Sequence, residues 1–217
     1  MKLYLYDHCP FCTRAEMVGN YKEIPYEIVY LLNDDEDTCY RLINAKQVPI
    51  LELDDGNAMP ESLDIAHKFD EIGNIAKTIA PQKNADTLLK HMGTVAMHIR
   101  CLLFPRNIML DLPEFATQSA KDYFRNKKEK TIERTFEQAM EETPEHKAAV
   151  EKMLASLPEL PDNAQKDNTL SWDDVLIYPA LRNLTIVKGL NFPQPVLDYI
   201  ESVKRITRTQ TYFDKAV

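Results

Sequence analysis

The sequence predicts two parts, an α/β domain at the front of the chain and an all-helical domain behind it. Residues 1–72 alternate short β-patterned runs with helical stripes in the order β-α-β-α-β-β-α. The last two strands of that series flank Asp55-Gly56-Asn57, a strong hairpin-turn sequence. Past Asn84 the strand pattern stops and only helical periodicity continues. The domain boundaries are therefore read as 1–72, a linker over 73–84, and a helical domain over 85–217.

Each element has a local reason. KLYLY at residues 2–6 alternates, with Leu3 and Leu5 on one face and aromatics on the other. Phe11, Ala15 and Val18 then make one helical stripe ending near Tyr21, and Pro10 suits the first helical position because its φ is already set. After Ile24-Pro25, YEIVYLL reads as a second strand. The acidic NDDED stretch opens a helix to about Asn44, its carboxylates complementing the helix dipole. Pro49 opens the third strand, and the fourth ends at Pro60. Ser62 is placed to cap a helix with Leu63, Ala66, Phe69 and Ile72 inward. Helices are expected near 85–104, 117–130, 132–142, 144–156, 171–187 and 194–208. Ser171-x-x-Asp174 has the spacing of a capping box, Leu170 with Val175 supplies the staple, and Pro179 predicts a kink.

Composition narrows the function. Of 217 residues, 44% are hydrophobic and 28% charged, enough apolar material for a sizeable core. Net charge is −8, and it lies in the front: 6 Lys+Arg against 15 Asp+Glu through residue 72. That surface argues against nucleic acid as a partner. MKLYLYDHCP lacks the features of a signal peptide, and no apolar run reaches membrane-spanning length. The expected location is cytoplasmic, with no membrane partner.

Four cysteines are present: Cys9, Cys12, Cys39 and Cys101. In a reducing compartment a C-x-x-C pair points to metal or redox chemistry. A structural zinc site needs four ligands, and Cys39, Cys101, His67, His91, His98 and His146 do not supply them at ligand spacing. A disulfide staple closing so small a loop removes little chain entropy. The redox reading has a physical basis. Cys9 sits where a helix starts, so first-turn N–H groups and the helix dipole favour its thiolate. Cys12 lies one turn on, able to attack a mixed disulfide formed at Cys9. No metal is expected. Cys39 and Cys101 are read as core or surface thiols, and His8 as a loop residue that is solvated or, if protonated, favours the Cys9 thiolate electrostatically.

CPFC after a first strand, VPIL before a hairpin and PES at the next helix resemble the glutaredoxins. Together with YDHCP, LLNDD, KQVPIL and the late YPALRNLT, they resemble the two-domain bacterial branch of that family. The resemblance implies a thioredoxin-like α/β N-terminal domain plus an all-α C-terminal domain, an architecture like that of the glutathione transferases. It further implies glutathione as co-substrate, disulfide-bonded or glutathionylated proteins as partners, and a monomer. By the same resemblance Cys9 forms the glutathione mixed disulfide and Cys12 resolves it, as a redox-active disulfide. Phe11, Val48, a cis Pro49, Glu61 and Ser62 would line the glutathione site, Val48 offering backbone groups, Glu61 and Ser62 holding the γ-glutamyl end. Phe11 stands where that family more often has tyrosine, so it offers no phenol near the sulfur. The same site would also serve a glutathione transferase or dehydroascorbate reductase.

Overall fold

A computed structural model describes residues 1–217. It resolves into two compact units. The first contains Met1–Thr78, Asp111–Phe124 and Thr207–Thr209. The second contains Ile79–Leu110, Arg125–Ile206 and Gln210–Val217.

The first unit follows the expected order: β1 (Lys2–Leu5), α1 (Pro10–Tyr21), β2 (Glu27–Tyr30), α2 (Glu36–Ile43), β3 (Ile50–Glu52), β4 (Ala58–Met59) and α3 (Ser62–Ile72). The sheet runs β2-β1-β3-β4, with β1 parallel to β2 and the other pairs antiparallel. A parallel pair needs a long crossover, which α1 provides. The antiparallel hairpin needs only the Asp-Gly-Asn turn, where Leu53 N–H donates to Asn57 O at 2.8 Å and Gly56 takes φ +85°. β1 is central and covered on both faces, so Leu3, Tyr4 and Leu5 are all buried. Tyr4 and Tyr6 join Leu31, Cys39 and Ile50 in one apolar cluster with Leu42 and Ile43 of α2. α1 and α3 pack on each other. An added Cβ at Gly19 would stand 2.7 Å from Tyr26 and 3.0 Å from Phe69, so this closeness requires glycine there.

Three local expectations are corrected. Ser62 does not cap α3: it is the first helical residue, and Glu61 occupies the cap position at φ +71°. The inward face of α3 is Ile65, Ala66 and Phe69, while Ile72 is 43% exposed. The stripe read from spacing alone was offset, because a period near three fits either edge of a helical face. Finally, Asp111–Phe124, assigned from sequence to the helical domain, packs within the first unit. There Asn33 N–H donates to the Glu114 carbonyl at 2.9 Å, the Tyr123 hydroxyl bonds the Glu36 carboxylate, and Lys46 Nζ lies 5.8 Å from the Tyr123 ring centre.

The second unit is helical: α4 (Ala85–Gly93), α5 (Ala96–Asn107), α6 (Gln118–Ile132, whose first half belongs to the first unit), α7 (Phe136–Glu141), α8 (Thr143–Ala155), α9 (Asn163–Lys166), α10 (Trp172–Leu184) and α11 (Gln194–Thr207). The single helix expected over 85–104 is two. Gly93 weakens the helix at that point, and Thr94 Oγ1 donates to His91 O at 2.7 Å, ending α4. The Ser171–Asp174 box forms: Ser171 N–H donates to Asp174 Oδ2 at 2.8 Å and Asp174 N–H to Ser171 Oγ at 3.1 Å. Leu170 and Val175 are fully buried beside it. Pro179 lies inside α10. No helix is long and apolar enough to cross a membrane.

Candidate active site

Cys9 is the N-cap of α1 (φ −79°, ψ 117°), with Pro10 at the first turn. Its amide donates to Tyr6 O at 3.3 Å, and its carbonyl receives Thr13 N–H at 3.1 Å, so the backbone on both sides is pinned. Cys9 is partly exposed, whereas Cys12 is 1% exposed, and no disulfide joins them. Tyr6 N–H points at Cys12 Sγ at 3.5 Å.

The two sulfurs are electrostatically unlike. Cys9 is lowered to about 6, first by the Cys12 thiol donating to it, then by His8, then by the Cys12 and Phe11 amides at the helix start. Those amides face the sulfur without closing a capping hydrogen bond. Partial burial opposes the shift and loses. Cys12 is pushed well up, by burial first, then by serving Cys9 as donor, then by the charge on Cys9. A low-pKa thiolate paired with a buried, protonated thiol is an attacking group with a reserve behind it. Iodoacetamide should therefore label Cys9 with a half-maximal rate near pH 6, where an ordinary cysteine titrates near about 8.5. Because the thiolate is the reacting form, the rate rises with pH through that midpoint and is flat above it. A midpoint above about 8 would remove the activated thiol from this description.

Beside α1 lies a groove of about 200 Å³ lined by Phe11, Gln47, Val48, Pro49, Glu61 and Ser62. It thus gathers Phe11, Val48, Pro49, Glu61 and Ser62, all named from the sequence. The Val48–Pro49 peptide is cis. Cys9 and Val48 both pack against the Tyr4–Tyr6 cluster. Glu61 is held in the left-handed region, a conformation that costs a non-glycine residue about 1 kcal/mol or more. Its Oε1 accepts from Gln47 Nε2 at 3.1 Å. Phe11 is 52% exposed at the groove edge, with the Arg14 guanidinium 4.9 Å from its ring centre.

Two participants escaped sequence reasoning. Gln47, present in the sequence reading only as a letter of KQVPIL, lines the groove and donates to Glu61. Glu114 stands 106 residues from His8, and nothing in Leu112-Pro113-Glu114-Phe115 marks it. His8 itself is corrected: its side chain is 11% exposed, not solvated, because Glu114 and a surround of aromatic rings hold it.

A larger cavity, about 370 Å³, lies in the second unit between Leu154 and Tyr199 and holds no cysteine. Also in that unit, His98 Nδ1 and His146 Nδ1 are 2.9 Å apart, so these two histidines do meet despite their sequence spacing. Glu145 completes a group whose ligand atoms fall within 4.8 Å. Three donors with one exposed fall short of the closed four-ligand set of structural zinc.

A four-stranded sheet carrying a C-x-x-C dithiol at the start of its first helix, joined to a helical unit, defines a glutathione-transferase-like thiol-redox protein. The family "Glutathione S-transferase, N-terminal domain" matches residues 3–74, and "Glutaredoxin 2, C terminal domain" matches residues 87–216. Glutaredoxin 2 of Escherichia coli K12 is 36% identical over 218 residues, covering all of both chains. The crystal structure of glutaredoxin 2 from Salmonella typhimurium, in complex with glutathione, superposes with a TM-score of 0.90 at 35% identity, covering 100% of this chain and 98% of that one. A glutathione transferase homologue from Sulfitobacter shares the fold, with a TM-score of 0.54 at 16% identity over 94% of this chain and 91% of its own. The chain belongs to the glutaredoxin 2 family. As a glutaredoxin it is a glutathione-dependent oxidoreductase.

Proposed function

We propose that the protein reduces protein–glutathione mixed disulfides and protein disulfides through a Cys9 nucleophile and a Cys12 resolving thiol. The observation that carries this reading is the lowered Cys9 at the start of α1, beside a groove lined by Phe11, Val48, Pro49, Glu61 and Ser62. In the first branch the Cys9 thiolate attacks the glutathione sulfur of a mixed disulfide. The old S–S bond breaks, the protein thiolate leaves and takes a proton, and glutathione is held on Cys9. A second glutathione thiolate attacks that sulfur, releasing oxidised glutathione and regenerating Cys9. In the second branch Cys9 attacks a protein disulfide. Cys12 loses its proton and displaces the target's thiolate, and two glutathiones reduce the Cys9–Cys12 bond.

The groove suits a tripeptide in this role. The Val48 backbone can pair with the cysteinyl residue as an added strand would. The Glu61 carboxylate suits the γ-glutamyl ammonium, and the Ser62 hydroxyl and amide at a helix N-terminus suit its carboxylate. Such a chemistry suits a reducing compartment such as the cytoplasm, with glutathionylated or disulfide-bonded proteins as partners, and the likeness to glutaredoxins favours a monomer.

Mass spectrometry after exposure to oxidised glutathione tests the reading. The expected product is one glutathionyl group on Cys9, converting to an internal Cys9–Cys12 disulfide with release of that group. No adduct at Cys9, together with turnover of an aryl halide, would instead mark a conjugating transferase.

A further inference from the structure

His8 and Glu114 form a buried unit that neither thiol branch has used. Glu114 lies in a short 3-10 turn, Pro113–Phe115, and its side chain is fully buried. Its Oε1 receives both the His8 amide at 3.0 Å and the His8 ring, Nδ1 at 2.6 Å. Its Oε2 is buried without a partner. A carboxylate so enclosed is tolerable only with a positive or donating group against it, and His8 Nδ1 fills that place. The ring has no freedom to drift. Tyr6 lies parallel at 5.8 Å, Phe115 stacks at 5.1 Å, and Phe124 meets it edge-on at 5.2 Å.

The geometry points to Glu114 as a positioning residue: its buried carboxylate fixes the His8 ring through Nδ1, at the residue directly preceding Cys9, and so sets how that ring is presented to the reacting thiol. The inference rests on Cys9 being the reacting thiol. The charges work in opposite senses on the two cysteines. His8 lowers Cys9, while the Glu114 charge contributes to raising Cys12. One buried pair thus widens the difference between attacker and reserve. Titratable groups near these atoms include Cys12 and Arg14 on α1 and Tyr6 just past β1, on which Cys39, Tyr123 and, at 2.8 Å from its hydroxyl, Lys46 Nζ also act. Arg14 is lowered by burial, with the charge on Cys9 opposing, and Tyr6, raised first by burial, is neutral in the working range.

The test is the pH profile of Cys9 alkylation in Glu114→Gln, Glu114→Asp, His8→Asn and the Gln/Asn double variant. Glu114→Gln keeps the shape but removes the charge. Its rate at about pH 6.5 should fall about three- to tenfold, with the limiting rate above about pH 9 unchanged. Glu114→Asp should stay near wild type. His8→Asn should match Glu114→Gln, and the double variant should lose nothing further. A merely structural role would lower folding stability without moving this profile. Coincident profiles for wild type and Glu114→Gln, or losses that multiply in the double variant, overturn the inference. If Glu114→Gln does not fold, His8→Asn against wild type decides by the same criterion. Wild-type exchange with glutathione disulfides is measured alongside: an inert wild type with an intact Glu114 effect sinks the proposed reaction and leaves this inference standing.

Discussion

Cys12→Ser is expected to retain removal of glutathione from mixed disulfides while losing reduction of protein disulfides, and Cys9→Ser to lose both by at least about a thousandfold. The difference follows from which sulfur carries charge. Cys9 is lowered to about 6, so at neutral pH it is mostly thiolate; a serine hydroxyl there stays protonated and cannot attack. Cys12 is held protonated by burial and by Cys9 itself, so it contributes only after a mixed disulfide has removed the Cys9 charge. The mixed-disulfide branch needs only an external glutathione for its second step and never calls on Cys12. Serine at position 12 also keeps a donor for Cys9. Alanine does not, and because the Cys12 thiol is the largest lowering influence on Cys9, Cys12→Ala should show a raised alkylation midpoint that Cys12→Ser largely avoids. Paired assays on a glutathionylated peptide and on a disulfide-bonded protein read out the split. Loss of the first activity in Cys12→Ser would reverse or void the assignment of roles.

What the sequence exposed and what it hid divide along contact range. CPFC, the Asp-Gly-Asn turn and the Ser171–Asp174 box are local patterns, set by backbone geometry within four residues, and each appears in the structure. The groove residues Phe11, Val48, Pro49, Glu61 and Ser62 come from three short stretches, yet each stretch has a signature that the family resemblance could carry. Gln47 had none, since a glutamine before Val-Pro is unremarkable until Glu61 is folded against it. The hardest features were those made by distant pairs of ordinary residues. His8 looked like a solvated loop residue because its partner, Glu114, is an unmarked acid far along the chain, in a segment that reads as part of the helical domain. The break between α4 and α5 was missed for a different reason: apolar spacing continues through Thr94, and only Gly93 hinted that the backbone does not.

The second large effect belongs to stability, and it too depends on a distant pair. Asp173→Ala is expected to destabilise the protein by about 3–4 kcal/mol, since three backbone N–H groups, that of Ala85 buried and those of Lys83 and Asn84 part-buried, lose a charged acceptor at once. Asp173 is 4% exposed, on the first turn of α10. Its Oδ1 accepts from the amides of Lys83, Asn84 and Ala85 at 3.1, 3.0 and 2.7 Å, and Oδ2 accepts from Lys83 at 2.9 Å. These amides lead into the start of α4, whose own N-cap, Asn84, makes no side-chain cap. The same stretch is stitched to α10 by Ala80 N–H to Leu170 O at 2.8 Å and Trp172 N–H to Ala80 O at 3.0 Å. Residues 79–84, read from sequence as linker, are therefore anchored within the second unit. At about 2–4 °C per kcal/mol for a chain of this size, the thermal midpoint should drop by about 6–16 °C. Asp173→Asn, which keeps one acceptor oxygen, should lose about a third of that. Cys9 alkylation at neutral pH should be unchanged below the new midpoint, because no atom of the thiol site is touched. A thermal midpoint for Asp173→Ala within about 2 °C of wild type would mean that water satisfies those amides as well as the carboxylate does.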